Sequence, residues 1–320
     1  MRALVTGASG FIGSALVRRL SESDLPSQVF ALIRKAASSD DSPANSRDSG
    51  QVSVLTGDLT VPSSLNFKES NIEVIFHLAA AAVTPETRWK RHVLRDINLD
   101  GTKNLFDAVR DHAKHFVYVS GLAVFEPAGA DGPDNSVNEK SPKGREPEYI
   151  KIRLEAEEYL RENCTKSGID LTVVYFPDIV YGNGGSFRRI FLDQISSGRF
   201  RIPGTGEYYK NFIHLDDAVG ILITLALKRN LTANESYIAS DSGPAPFKEF
   251  VSSIADELGV RRPGSVPLFL AKAAVGSDLI KMLTKSTRAS NEKISSLYEF
   301  QYPTFRTGLP HVVSQFKTSS

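Results

Sequence analysis

RALVTGASGFIGSALVRRL, residues 2–20, is the stretch on which the reading of the fold turns. RALVT is short, apolar and β-branched, as a buried strand requires, and beyond the glycines Phe11, Ile12, Ala15, Leu16, Val17 and Leu20 recur with helical spacing. Between the two, GASGFIG sets glycines at 7, 10 and 13. Strand, glycine turn and helix in immediate succession suit a dinucleotide. Absent side chains let backbone N–H groups approach a pyrophosphate, and the helix turns its positive end toward that charge. The spacing differs from the commoner GxGxxG, but the physics is shared. Phe11 and Ile12, inside the turn, are counted with Gly7, Gly10 and Gly13 as cofactor-binding.

Outward from this unit, strand-like runs recur at 29–33, 52–56, 73–78, 115–120 and 170–176, with helical stretches at about 86–111 and 148–166. The alternation predicts an α/β chain with a Rossmann-type doubly wound parallel sheet. The polar insert 36–50 reads as a surface loop, poorly ordered without ligand. After residue 178 the alternation lapses into Gly- and Pro-punctuated segments, YGNGGS at 181–186 and RIPGTGEYYK at 201–210. A dinucleotide-binding domain, 1–177, and a smaller C-terminal substrate-binding cap, 178–320, are therefore expected, with chain exchange between them allowed.

Composition narrows the function. Of 320 residues 41% are hydrophobic, enough for a substantial core, and 38 Lys and Arg against 37 Asp and Glu leave no basic surplus for nucleic acid. One cysteine, Cys164, excludes an internal disulfide framework and a Cys-based zinc cluster and agrees with a reducing compartment. The first strand begins at the chain's start and no apolar run reaches roughly 18 residues, so a soluble cytoplasmic protein without a membrane partner is expected. No metal is expected: among six His, His112 and His115 are three apart but span a helix-to-strand junction.

The end of the second strand bears on the cofactor. An acidic residue there would hold the ribose 2′-hydroxyl of NAD; this chain has Ile33, Arg34 and Lys35. A cationic pair favours a 2′-phosphate, hence NADP, with NAD as the alternative. Asp58 in TGDLT, followed by Leu59, can accept from adenine or cap a helix. His77 and Ala79 end the fourth strand, where the crevice of such a sheet holds its ligand, and His77 is read as structural.

Taken in order, VTGASGFIG (5–13), GDL (57–59), FHLAA (76–80), INLDGTKNL (97–105), VYVS (117–120), YGNGG (181–185), NFIHLDD (211–217) and YPTFRTGL (302–309) resemble the extended short-chain dehydrogenase/reductase family, with its NAD(P)-dependent epimerases and dehydratases, over essentially the whole chain. The resemblance implies hydride transfer between nicotinamide C4 and a carbon bearing hydroxyl or carbonyl. It also implies a Tyr that exchanges the oxygen's proton, a Ser or Thr that orients the oxygen, and a Lys four residues after the Tyr. A phenol near pKa 10 needs such a cation to act at neutral pH. In EPEYIKIRLEAEEYL the Tyr position falls on Tyr149, with Glu157 downstream as a second anchor. The Lys position holds Arg153, which supplies charge but cannot relay a proton. Lys151, two residues from Tyr149, lies on another helix face.

Against dihydroflavonol reductases the orienting hydroxyl falls on Ser120; against sugar-nucleotide enzymes it falls on Gly121. Asn98 is either a support for the crossover helix and a proton path or a polar residue beside an irregularity at Gly101. By resemblance, Pro177 and Ile179 lie against the nicotinamide, Tyr149 and Arg153 also contact the cofactor, and Ser120, Tyr181, Arg188 and Lys210 face the substrate. Lys210 with Arg188 and Arg189 can hold a diphosphate; otherwise the site takes an uncharged hydroxy or keto compound. Three activities follow: an NADP-dependent oxidoreductase acting on a carbonyl or secondary alcohol of a small molecule, a nucleotide-sugar epimerase or dehydratase retaining NAD(P), and a non-catalytic NADP(H)-binding regulator. The two long helices imply a homodimer.

Overall fold

The computed structural model of the chain describes residues 1–23, 25, 28–34, 51–67, 70–84, 87, 90–126 and 136–319. Lys35, the polar insert 36–50 and residue 86 at the expected start of the crossover helix lie outside the described residues. The apolar runs form β1 (Arg2–Thr6), β2 (Gln28–Ile33), β3 (Val52–Thr56), β4 (Val74–His77), β5 (His115–Gly121) and β6 (Asp170–Phe176). With the strand Ser236–Ile238 they make a seven-stranded parallel sheet, ordered 236–238, β6, β5, β4, β1, β2, β3. The order reverses between β1 and β4, and a crevice opens beyond their carboxyl ends.

Both faces of the sheet are covered, which is why the central strands are continuous apolar runs. Leu4, Ile75, Phe116 and Tyr118 pack toward α3 (Gly101–Val109) and α4 (Glu148–Ser167). Val5, Phe76, Val117 and Val174 pack toward α1 (Phe11–Ser21) and the helix Leu215–Leu227. That helix and Ser236–Ile238 follow residue 178 yet belong to the sheet layers. A separate aromatic core, including Phe187, Phe212, Phe250 and Phe305, joins segments within 179–212, 245–260 and 305–316.

The crossover between β4 and β5 is one interrupted helix: α2 (Arg91–Arg95), a π-helical turn over Asp96–Asp100, then α3. Leu59 crowds Gly101, where an added Cβ would lie 2.9 Å from the Leu59 Cβ. On the outer side, Arg91 and Arg95 reach Glu148 and Glu155 of α4 at 3.0 and 3.1 Å. The middle of α4 is anchored by Glu157, whose Oε1 accepts from Lys143 Nζ at 2.7 Å, the Tyr175 hydroxyl at 2.8 Å and Arg161 Nε at 2.9 Å. Burial pushes this carboxyl up, but Lys143, Arg161 and Tyr175 together outweigh it and hold it below the usual range.

The glycine turn is the tightest feature. Gly7 has φ +68°, and a Cβ on Gly13 would stand 2.1 Å from the Gly7 carbonyl oxygen, backbone against backbone. Gly13→Ala should therefore cost upward of about 3 kcal/mol, read as a lowered urea midpoint. Gly121→Ala, whose Cβ meets no atom within 4 Å, should shift stability by no more than about 0.5 kcal/mol. Equal effects would mean that the turn is not close-packed.

Candidate active site

A cavity of about 740 Å³ opens at the carboxyl ends of β1, β2, β3 and β4, lined by Gly7, Gly10, Arg34, Asp58, Leu59 and Ala79 among others. Gly10 caps α1 without a side-chain hydrogen bond, so no cap side chain stands over the first N–H groups of that helix. A Cβ on Gly7 would lie 2.9 Å from Ala79 N, which keeps this wall bare backbone. Shape and donors fit a dinucleotide: a glycine cradle for pyrophosphate, and Arg34, exposed, at the far end. Asp58 Oδ1 accepts from the Thr60 N–H and hydroxyl, each at 2.8 Å. The Thr60 N–H, against the cost of burial and with help from the Thr60 hydroxyl and Arg34, holds this carboxyl below its ordinary range. The aspartate fixes its turn and lines the cavity.

Behind the cradle runs a chain of hydrogen bonds that sequence reading did not find. Thr102 Oγ1 donates to the Asn98 carbonyl at 2.8 Å, so toward His77 Nε2, 2.9 Å away, it accepts. His77 thus carries its proton on Nε2, and Nδ1 accepts from the Thr6 hydroxyl at 2.7 Å. Thr6 Oγ1 in turn accepts from Ala79 N–H at 3.2 Å. Burial, with Arg153's charge adding to it, pushes His77 down to about 3, so the ring is neutral and structural. Thr6 and Thr102 sat inside quoted motifs; their roles appear only when β1, β4 and α3 meet. Asn98 supports the same wall, accepting from Ala81 N–H at 2.7 Å and donating to its carbonyl at 2.9 Å.

A second cavity, about 410 Å³, lies across the turn and is lined by Phe11, Ile12, Gly13, Val119, Asp178 and Ile179 among others. Pro177, before it, is buried. Tyr149 faces a smaller adjoining space of about 210 Å³, with Val83, Ile152 and Leu279. The run Leu78–Val83 is the common wall: its residues line all three cavities in turn.

Arg153 is 5% exposed, with its guanidinium 5.0 Å from the Tyr118 ring centroid and donating to the Val119 carbonyl. Burial pushes the Tyr118 phenol up to about 12, and its hydroxyl donates to the Arg153 carbonyl at 3.4 Å, so it is no base. Alternation along β5 sets Ser120 on the face of Phe116 and Tyr118, toward α4 and Tyr149. Its hydroxyl is buried and has no hydrogen-bond partner among the described residues.

Three residues expected at the substrate are engaged by other parts of the fold. Tyr181 is fully buried in the aromatic core and its hydroxyl donates to the Thr304 carbonyl at 3.4 Å. Arg188, carried by a π-helical turn, lies over the Phe316 ring at 4.9 Å and donates to Ser319 Oγ at 3.0 Å. Lys210 is 3% exposed, paired with Asp178 at 2.9 Å and donating to the Met282 carbonyl at 3.2 Å. Lys285, which no motif marked, donates to the carbonyls of Ala123 and Phe125 at 3.2 and 2.5 Å, and burial lowers its pKa. Among the described residues no group of three His, Cys, Asp or Glu could hold a metal.

Known proteins resemble the chain in sequence and in fold. The chain is 28% identical, over 90% of its length and 84% of the other's, to a 4-hydroxy-2-methyl-3-oxo-4-farnesyl-3,4-dihydroquinoline-1-oxide ketoreductase of Stigmatella aurantiaca. It is 26% identical to a 3beta-hydroxysteroid-dehydrogenase/decarboxylase, isoform 2, of Arabidopsis thaliana, over 83% of this chain but only half of that protein. Its fold superposes on a dTDP-glucose 4,6-dehydratase of Streptomyces venezuelae, solved with NAD bound, with a TM-score of 0.83 at 22% identity, covering 99% and 97% of the two chains. The model of the NAD dependent epimerase/dehydratase family matches residues 3–239. The chain belongs to that family, within the extended short-chain dehydrogenases/reductases, and is an NAD(P)-dependent oxidoreductase of that type.

Proposed function

We propose that the protein is an NADP-dependent oxidoreductase acting on a carbonyl or secondary alcohol of an uncharged small molecule. The observation that carries this reading is the engagement of Lys210 and Arg188 within the fold, which leaves Arg189 as the one exposed member of the three cations a nucleotide-sugar diphosphate would call on. Relatives named as a ketoreductase and a hydroxysteroid dehydrogenase support the same side.

Gly7, Gly10 and Gly13 would hold the pyrophosphate, Asp58 and Leu59 the adenine, Arg34 the 2′-phosphate, and Tyr149 and Arg153 the nicotinamide ribose, with Pro177, Ile179 and Ala79 along the path. When bound, the nicotinamide supplies or takes up the hydride. Tyr149 then exchanges a proton with the substrate oxygen through its phenol. Ser120, whose hydroxyl has no other partner among the described residues, orients that oxygen. Arg153 keeps a fixed positive charge one helical turn from Tyr149 and takes no part in proton relay, since a guanidinium does not deprotonate.

Tyr149→Phe should lower kcat for NADPH-dependent ketone reduction at least about a hundredfold; unchanged turnover would remove the phenol from the mechanism. Arg34→Glu should lower the NADPH-to-NADH ratio of kcat/KM by at least about tenfold, the worth of a charge-assisted hydrogen bond. Cofactor that stays bound through purification, with no turnover of added NADPH on a ketone panel, would favour an epimerase or dehydratase instead. We infer in addition a homodimer in which α3 and α4 pair with those of a second copy. Light scattering giving only the mass of one chain would exclude it.

A further inference from the structure

We propose that the helices Leu268–Val275 and Ser277–Thr284 form a docking surface for an anionic lipid bilayer, lying on the membrane and not crossing it. The first helix reads LFLAKAAV, and only Ala271 of its eight residues is buried. Phe269 is 69% exposed, flanked by Leu268 at 40% and Leu270 at 49%, and Leu283 on the second helix adds 39%. Apolar side chains this large, exposed at three successive positions of one short helix, mark a surface that meets something other than water.

Charge selects the occupant. From 261 to 288 the chain carries Arg261, Arg262, Lys272, Lys281, Lys285 and Arg288 against a single acid, Asp278, although its formal net charge as a whole is +1. Arg262 is held by Asp256 at 2.7 Å and Lys285 by main-chain carbonyls. Arg261, Lys272 and Lys281 are exposed, Lys272 on the same helix as Phe269 and Lys281 on the helix that follows. Exposed Leu and Phe together with long basic side chains suit a bilayer interface, with the apolar groups entering the headgroup boundary and the ammonium groups reaching lipid phosphates. A second copy fits less well. Two-fold pairing would enclose the basic side chains of both protomers at one contact, whereas an anionic bilayer offers them counter-charge. The lack of an apolar run of roughly 18 residues concerns spanning only, and no described helix is long and apolar enough to cross a membrane.

The test is sedimentation of the full chain with vesicles of two parts phosphatidylcholine to one part phosphatidylglycerol, and with phosphatidylcholine alone. The protein should pellet with the mixed vesicles. Phe269→Ser combined with Leu270→Ser should weaken partitioning at least about tenfold. Lys272→Glu and Lys281→Glu should each remove about fivefold of the preference for the anionic vesicles. These side chains are exposed, so unchanged melting curves serve as the folding control. Protein that stays in the supernatant with mixed vesicles overturns the proposal, as do variants that pellet like the parent. A lowered scattering mass in the Phe269, Leu270 pair, without change in vesicle binding, would assign the patch to a second copy and overturn it too.

Discussion

The contact between Gly13 and the Gly7 carbonyl constrains everything around the crevice. Helix α1 can begin where it does only because two stretches of backbone touch with no side chain between them, and Gly7 makes a similar approach to Ala79. The consecutive β1 and α1 and the distant β4 therefore meet through main chain. A meeting of this kind leaves N–H groups turned toward the opening and makes the position of the wall insensitive to rotamers. The Thr6, His77 and Thr102 chain then locks β1 to β4 and α3 from behind, with a neutral imidazole whose two nitrogens play opposite roles.

The positive charge of the site is divided by burial. Arg34 stays in solvent at the edge of the larger cavity, where it can meet a charged group without desolvation. Arg153 is enclosed, and its hydrogen bond to Val119 ties it to the strand that lines the second cavity. Lys210 and Lys285 are enclosed as well, but they are spent on Asp178 and on main-chain carbonyls. These contacts fix loops beside the second cavity.

What could be read in advance follows from the range of each interaction. Strands and helices were legible because apolar spacing is local, and the glycine turn because its cause lies within seven residues. Position along the chain points Tyr181, Arg188 and Lys210 toward a substrate, whereas the hydrogen bonds they make go to Thr304, Ser319 and Asp178. Two of those partners lie more than a hundred residues away. The exchange of Lys for Arg153 was visible at once, but its tie to Val119 was not, since nothing local relates a helix residue to the carbonyl of a strand thirty-four positions earlier.

The π-helical turn at Asp96–Asp100 also acts as a phase shifter. A wide turn holds about one residue more than an α turn, so α2 and α3 run out of step by about 100°. That offset lets one helix answer two masters: α3 turns Thr102 inward to His77 while α2 presents Arg91 and Arg95 to the acids of α4. A single-residue deletion there would spare the sheet and the glycine turn yet swing α2 around its axis, uncoupling the layer that carries Tyr149 from the one that carries the turn. Length in this stretch is thus a structural parameter in its own right, independent of which residues fill it.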